Sequence, residues 1–406
     1  MKALALILLP ALALAAPPPP GPRRASALLV PMDPLAEAAG PKLESYMNEA
    51  LSQFQGLSVR KPEELLGLPA DDEARRSLER GRKGYEESLA AFEKKDYEDA
   101  ELKVRATLKE LRKAAAAMTT SCSPLCDATA LYGAVMHQRG DVEEAKLALL
   151  DLMALNPTYE LDVKRYSREF ISLRVQVATS VNAALRGSVL VKSRPAGARV
   201  YMDGEFQGYT PMTVQTLPVG KHLLRLERPG FQQYGQILEV SPDEFEVTAP
   251  LSPTDTYKGY DAQLDAVASS ILRSGKSSPP VVTLGKSLGL ERGLVGTLKS
   301  NKERGTTELT LGYYDMGTGQ RLAGRHVVLQ GDEFGQLQSE MSRLVNHLLN
   351  SADGGAERKV KSDDPLDNQH GMEEWNAEDQ GGRRRAREKK NRGGDPLESV
   401  SGTEDW

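Results

Sequence analysis

Between Gly187 and Leu251 the chain is interrupted by turn-forming residues roughly every ten positions, and the runs between them alternate apolar with polar side chains. Gly187-Ser-Val-Leu-Val-Lys-Ser193 is stopped at Pro195-Ala-Gly197-Ala198 and resumes as Arg-Val-Tyr-Met. Asp203-Gly204 then supplies the pair of residues that a two-residue hairpin needs at positive φ. Further stops fall at Gly208-Tyr-Thr210-Pro211, at Pro218-Val-Gly220 and at Pro229-Gly230-Phe231. Such punctuation excludes long helices and predicts a small antiparallel β-domain. One face of each strand packs inward through Val189, Val191, Val200, Met202, Leu224, Leu226, Ile237 and Val247.

On these residues the stretch resembles the PEGA domain, whose Pro-Glu-Gly-Ala signature reads Pro195-Ala-Gly197-Ala198 here. The resemblance extends through the Tyr-x-Asp-Gly hairpin at Asp203 and Gly204 and the Gly-x-Thr-Pro step at Gly208, Thr210 and Pro211. It continues through the Pro-x-Gly-x-His run around Gly220 to the closing Gly230-Phe231. Ala196 replaces the Glu of the signature, a change that costs little if the position is a solvated turn. The family is a cell-envelope and surface module without shared catalytic residues, so the resemblance implies display or binding.

The rest of the chain has room for further domains: 406 residues exceed one domain at roughly 150 residues each. A net charge of −5 gives no argument for nucleic acid as a partner. Met1-Lys2 followed by the apolar run Ala3 to Ala16, with small residues around Ala13-Leu14-Ala15, reads as a secretory signal over residues 1–15. No cysteine follows that site to take a lipid. No later run approaches the roughly 20 apolar residues of a membrane span. The expectation is an exported protein, periplasmic or associated with the envelope, with no transmembrane helix once the signal is removed.

A Pro-rich linker is expected over 16–26. Residues 27–68 read as strand, helix, strand and short helix, too little to close a core alone. Residues 71–185 are helical, with Gly81 and Gly84 as soft breaks, a turn into a second helix at Asp96, and a second hairpin turning at Gly140-Asp141. In that second hairpin Gly133, Ala145, Leu149 and Pro157 fall at the small, small, apolar and Pro positions of a tetratricopeptide repeat, which the region resembles. The first hairpin matches mainly at Ala100 and Val104. Tyr159 to Leu185 is expected to cap the hairpins through Leu161, Tyr166, Phe170, Leu173 and Val177. The β-domain occupies 187–252.

Residues 258–350 then read as helix, short helix, three strands and an amphipathic helix. Gly289-Leu-Glu-Arg-Gly-Leu-Val-Gly296, Leu309-Thr-Leu-Gly-Tyr-Tyr-Asp315 and Thr318-Gly319 resemble the second half of the α/β domain at the amino terminus of the TolB translocation protein, and Ala27 to Leu68 resembles its first half. The two segments are therefore expected to fold as one domain. The fold class expected is multidomain α+β: tetratricopeptide-like hairpins, a small antiparallel PEGA-like domain, a split α/β domain, and a tail over 351–406 with the composition of disorder. In that tail Asp364, Pro365, Leu366, Gly371 and Trp375 recur in phase as Asp395, Pro396, Leu397, Gly402 and Trp406, the only two Trp of the chain. Two copies of an aromatic-anchored phrase read either as a bivalent linear ligand or as a duplication without a role.

Candidate chemistry is sparse. Gly275-Lys-Ser277 and Gly285-Lys-Ser287 lack the upstream Gly of a phosphate loop. The Gly331-Asp-Glu-Phe334 fragment is explained by acidic residues at a helix start. The five His show no ligand spacing and no nucleophile elbow occurs, so no catalytic residue, metal or cofactor is argued. Cys122 and Cys126, the only cysteines, read as a local disulfide in an exported chain, with two free thiols as the alternative. The function expected is a non-enzymatic envelope scaffold that binds protein or cell-wall polymer. The alternative is an accessory subunit of an envelope transport or secretion machine.

Overall fold

The computed structural model describes residues 21–118, 122–183, 186–273, 275–330 and 336–352. The signal read at 1–15, the Gly331-to-Phe334 fragment and all ten residues of the duplicated tail phrase lie outside them.

The chain enters through strand β1 (Arg23–Pro31), so the expected linker gives way to strand four residues early, and Arg23 and Arg24 are already paired with Leu57 and Ser58. Helix α1 (Pro34–Leu51) follows, started by Asp33, whose carboxylate accepts from the Leu35 and Ala36 N–H groups, with Pro34 preset for the first turn. Strand β2 (Leu57–Val59) and the short helix α2 (Pro62–Leu66) complete the segment.

Four helices form two hairpins: α3 (Asp72–Glu93) with α4 (Tyr97–Lys113), and α5 (Leu125–Arg139) with α6 (Val142–Leu155). Gly81 and Gly84 do not break α3. A Cβ on either would overlap Leu111 or Thr107 of α4, so these glycines let the two helices approach closely. The 3-10 turn Ala115–Ala117 follows α4. Cys122 and Cys126 are joined by a disulfide at the start of α5. Tyr159 to Ser167 is not helical, and α7 begins only at Arg168 and runs to Ala183. Leu161, Tyr166, Phe170, Leu173 and Val177 are all buried in the core shared by the hairpins.

Seven strands follow: β3 (Arg186–Arg194), β4 (Arg199–Met202), β5 (Glu205–Tyr209), β6 (Met212–Pro218), β7 (Gly220–Glu227), β8 (Tyr234–Val240) and β9 (Phe245–Pro250). They form two sheets, ordered β6-β3-β9 and β5-β4-β7-β8, around a core of Val189, Val191, Val200, Met202, Leu224 and Leu226; β3 and β9 run parallel, so the module is not wholly antiparallel as expected. The period-2 pattern of the sequence fills this interior, except that Ile237, expected to face inward, lies on the opposite face. The opposite face of β7 and β8 is also covered, because Leu223 belongs to the helical core and Ile237 packs against it.

Helices α8 (Asp255–Leu272) and α9 (Pro279–Leu288), strands β10 (Arg292–Asn301), β11 (Thr306–Asp315) and β12 (Arg321–Gln330), and helix α10 (Leu337–Ala352) end the described chain. Their strands join the first two in a single sheet, ordered β12-β11-β10-β1-β2, with β1 parallel to both β10 and β2. Ala27 and Leu29 face α1 and α10, while Leu28 and Val30 face α8 and α9, so β1 is buried on both sides as an apolar run without alternation requires. Because β2 pairs only with Arg23, Arg24 and Ala25, α1 side chains satisfy the rest of that edge. Asn48 accepts from the Ala27 N–H (2.9 Å) and Glu44 from the Leu29 N–H (2.6 Å). Among the described residues no helix is long and apolar enough to cross a membrane.

Candidate functional site

A groove of about 490 Å³ opens where α4, α5 and α6 meet β7 and β8. Its α4 wall carries Arg105, Leu108 and Arg112. Its α6 wall carries Glu144, Leu147, Ala148 and Asp151, which share one helix face by their spacing, and Leu125 and Tyr132 of α5 lie between. The β-strands close the groove with Val219, Gly220, Lys221, Ile237 and Glu239. Leu147 is 58% exposed, an apolar side chain left in water beside a concave surface.

The polar groups of the groove are held in place. The Tyr132 hydroxyl donates to Glu144 Oε1 at 2.6 Å, and burial together with that carboxylate holds the phenol pKa well above its ordinary value. The Arg105 guanidinium lies 4.9 Å from the Tyr132 ring centre. Lys221 of β7 pairs with Asp151 of α6, across the boundary between strands and helices. Burial raises the Asp151 carboxyl pKa in spite of that partner. The groove thus has a cationic wall on α4 and an anionic wall on α6.

The turn residues of the β-module bring it against both neighbours. Gly220 has φ +137, and a Cβ there would lie 2.9 Å from Ala154 Cβ and 3.0 Å from Leu150 Cδ2 of α6. Gly197 has φ +81, and a Cβ there would lie 2.8 Å from the Glu37 carbonyl oxygen of α1. The Pro195-to-Ala198 turn is fixed by Thr210, whose Oγ1 accepts from the Ala198 N–H (3.0 Å) and lies 2.6 Å from Ser193 Oγ. Asp203 (φ +53) and Gly204 (φ +89) make the two-residue hairpin between β4 and β5. Asp203 then turns back into the module: Oδ1 accepts from the Leu223 N–H (2.8 Å) and Oδ2 lies 2.6 Å from His222 Nδ1. The other ring nitrogen lies 2.8 Å from the Pro218 carbonyl oxygen. Burial works against a charged ring, but acceptors on both nitrogens outweigh it, so the His222 pKa is raised. Residues 186–255 match the PEGA domain family. No curated protein and no solved structure matches the chain. The match describes the PEGA module alone, and the Ala at position 196 leaves its turn intact: the Ala196 carbonyl accepts from Arg228.

The remaining sequence-derived sites are scattered. Gly208 sits at the irregularity of β5, where Val200 pairs with Gly208 and Tyr201 with Phe206, and Pro211 ends the same corner. Ala145 and Leu149 are fully buried in α6, and a Cβ on Gly133 would lie 3.2 Å from both Ala148 Cβ and Phe170 Cζ. Pro157 is exposed beyond the end of α6. Of these residues only Gly220 lines the groove. Arg105, Arg112, Tyr132, Glu144, Asp151 and Lys221 were not singled out by the sequence, because they come from four separated elements and share no spacing.

Proposed function

We propose that this protein is an exported, non-enzymatic scaffold of the cell envelope and that it binds a protein or polymer segment in the groove between its helical hairpins and its PEGA module. The observation that carries the reading is the make-up of the groove. An apolar floor and an exposed Leu147 lie between a cationic and an anionic wall, and Glu144 and Asp151 are already engaged by Tyr132 and Lys221, which suits recognition better than proton transfer. We read the hairpins as tetratricopeptide-like. Supporting this, both turn in the same way and bury Ala100 and Ala145 at equivalent places. The second reading, an accessory subunit of a transport or secretion machine, draws on the resemblance of the split sheet to the TolB amino-terminal domain.

The test is affinity capture from envelope extract with the wild-type chain and with Leu147→Arg and Arg112→Glu, two changes at exposed groove positions. The binding reading expects a partner recovered by wild type and reduced at least tenfold by each variant, with circular dichroism and melting unchanged. Equal recovery from all three removes the groove from the account. Stoichiometric recovery with a membrane transport complex favours the second reading.

A further inference from the structure

The turn from β6 into β7, Pro218-Val-Gly-Lys221, touches α6 and lines the groove. Gly220 leaves no room for a side chain against Ala154 and Leu150, and Lys221 pairs with Asp151, whose carboxylate is also stabilised by the Lys221 N–H. From inside the module the turn is held by His222, which is fully buried. Its Nε2 lies 2.8 Å from the Pro218 carbonyl oxygen and its Nδ1 lies 2.6 Å from Asp203 Oδ2.

These two contacts set the number of hydrogens on the ring. A carbonyl and a carboxylate only accept, so a ring bonded to both carries a hydrogen on each nitrogen, which is the imidazolium form. Asp203 is kept facing the ring, because its Oδ1 receives the Leu223 N–H (2.8 Å). When the ring gives up one proton, the charged acceptor retains the hydrogen on Nδ1. Nε2 then meets the Pro218 carbonyl lone pair against lone pair, and that bond is lost.

We propose that His222 is a proton-operated latch on the strand wall of the groove: the doubly protonated ring holds the Pro218-to-Lys221 turn against α6, and the singly protonated ring releases it. Because Val219, Gly220 and Lys221 line the groove, release alters the surface offered to a partner. That consequence rests on the binding reading, and the latch itself does not.

The charges around the ring favour the latched state. Burial opposes a charged ring, but Asp203, then the Pro218 carbonyl and Asp151 of α6, outweigh it and hold the His222 pKa above the ordinary 6.5. Glu205 acts on Asp203, and Lys221 and Glu239 act on Asp151. A raised pKa means that the latch is fully closed below about pH 6.5 and opens as pH rises through the folded value.

Nuclear magnetic resonance of the full chain without ligand, from about pH 5.5 to about pH 9, spans the ordinary histidine range on both sides and tests the latch. The His222 ring nitrogens report its protonation, the Pro218 carbonyl carbon reports the bond, and the Lys221 amide, corrected for intrinsic exchange, reports the turn. As His222 passes from imidazolium to the Nδ1–H form, the Pro218 carbonyl signal moves upfield and Lys221 protection falls about tenfold, the loss expected for one hydrogen bond from a charged donor. Asp203→Asn closes the latch permanently. Asn tolerates the positive φ of 53 at this position, keeps the Leu223 N–H on its carbonyl and donates its amide to Nδ1, so a neutral ring keeps Nε2–H on Pro218 and both signals stay level with pH. If that variant does not fold, the wild-type signals decide alone. A ring that stays imidazolium throughout, a neutral ring in the Nε2–H form, an unmoved Pro218 carbonyl or Lys221 protection, or the same fall in Asp203→Asn overturns the latch. Because no ligand is used, that outcome leaves the binding reading untouched, and a failure of groove binding leaves the latch untouched.

Discussion

The two helical hairpins turn by the same device and live in different surroundings. In the first, Lys95 takes the left-handed conformation (φ 64), the Asp96 N–H donates back to the Ala91 carbonyl, and the Asp96 carboxylate caps α4. In the second, Gly140 (φ 90), the Asp141 N–H to the Met136 carbonyl, and the Asp141 carboxylate on α6 do the same. These are Schellman turns followed by an Asp cap. Yet α5 buries every residue from Leu125 to Met136 except Asp127, whereas α3 buries only Ala74, Ser77, Gly81, Ser88, Ala91 and Phe92. The PEGA module and α7 cover the second hairpin; the first hairpin lies at the edge. The difference teaches that one local design serves as exposed wall or as foundation according to what packs on it.

The largest effect expected tests that foundation. Gly220→Val combines a side chain at a glycine backbone conformation with overlap against Ala154 and Leu150, and should cost about 3–5 kcal/mol in urea unfolding. A loss under 1 kcal/mol would mean that the module does not bear on α6. Next come equivalent core positions. Leu149→Ala should cost about 2–5 kcal/mol, and Val104→Ala less, because one fewer carbon leaves a fully buried site; equal costs would erase the contrast between the hairpins.

The turns give smaller, opposite effects. Lys95→Gly should stabilise and Gly140→Lys destabilise, each by about 1 kcal/mol, since only glycine adopts the left-handed region without a side-chain penalty. Matching signs in thermal melts would show that the turns are not equivalent. The smallest effect is a pH dependence. The His222 pKa is raised in the folded state, so its stabilisation is complete below about pH 6.5 and is lost as pH rises through the folded value. Amide protection in α6, which leans on β7, corrected for intrinsic exchange, should therefore fall with rising pH while that in α3 stays level, and His222→Gln should abolish the difference.

What the sequence disclosed depended on how local the physics was. Asp203-Gly204, Gly140-Asp141 and the Asp96 cap are set by backbone conformation within a few residues, and they were legible. The glycines of α3 were misread as breaks because close approach to Leu111 and Thr107 of α4 is a tertiary fact that a helix propensity cannot contain. Tyr159 to Ser167 carries apolar side chains into the core without helical backbone, so a packing stripe was read as helix. The pairing of Ala25 with Arg292 brings together strands from the two ends of the described chain, and nothing in either strand names its partner. The groove was invisible for a related reason, since Arg105, Tyr132, Glu144 and Lys221 become neighbours only after hairpins and module dock.

The central claim is that the groove between the hairpins and the module, and not the exposed apolar positions outside it, meets a partner. A photocrosslinking amino acid placed at Leu147, at Leu102 of α4 and at Val163, all exposed apolar positions, tests it in envelope extract. The account predicts a discrete covalent adduct from position 147 that vanishes when Arg112→Glu is added, and none from positions 102 and 163. Adducts of equal yield from all three positions, or none from position 147, would contradict it.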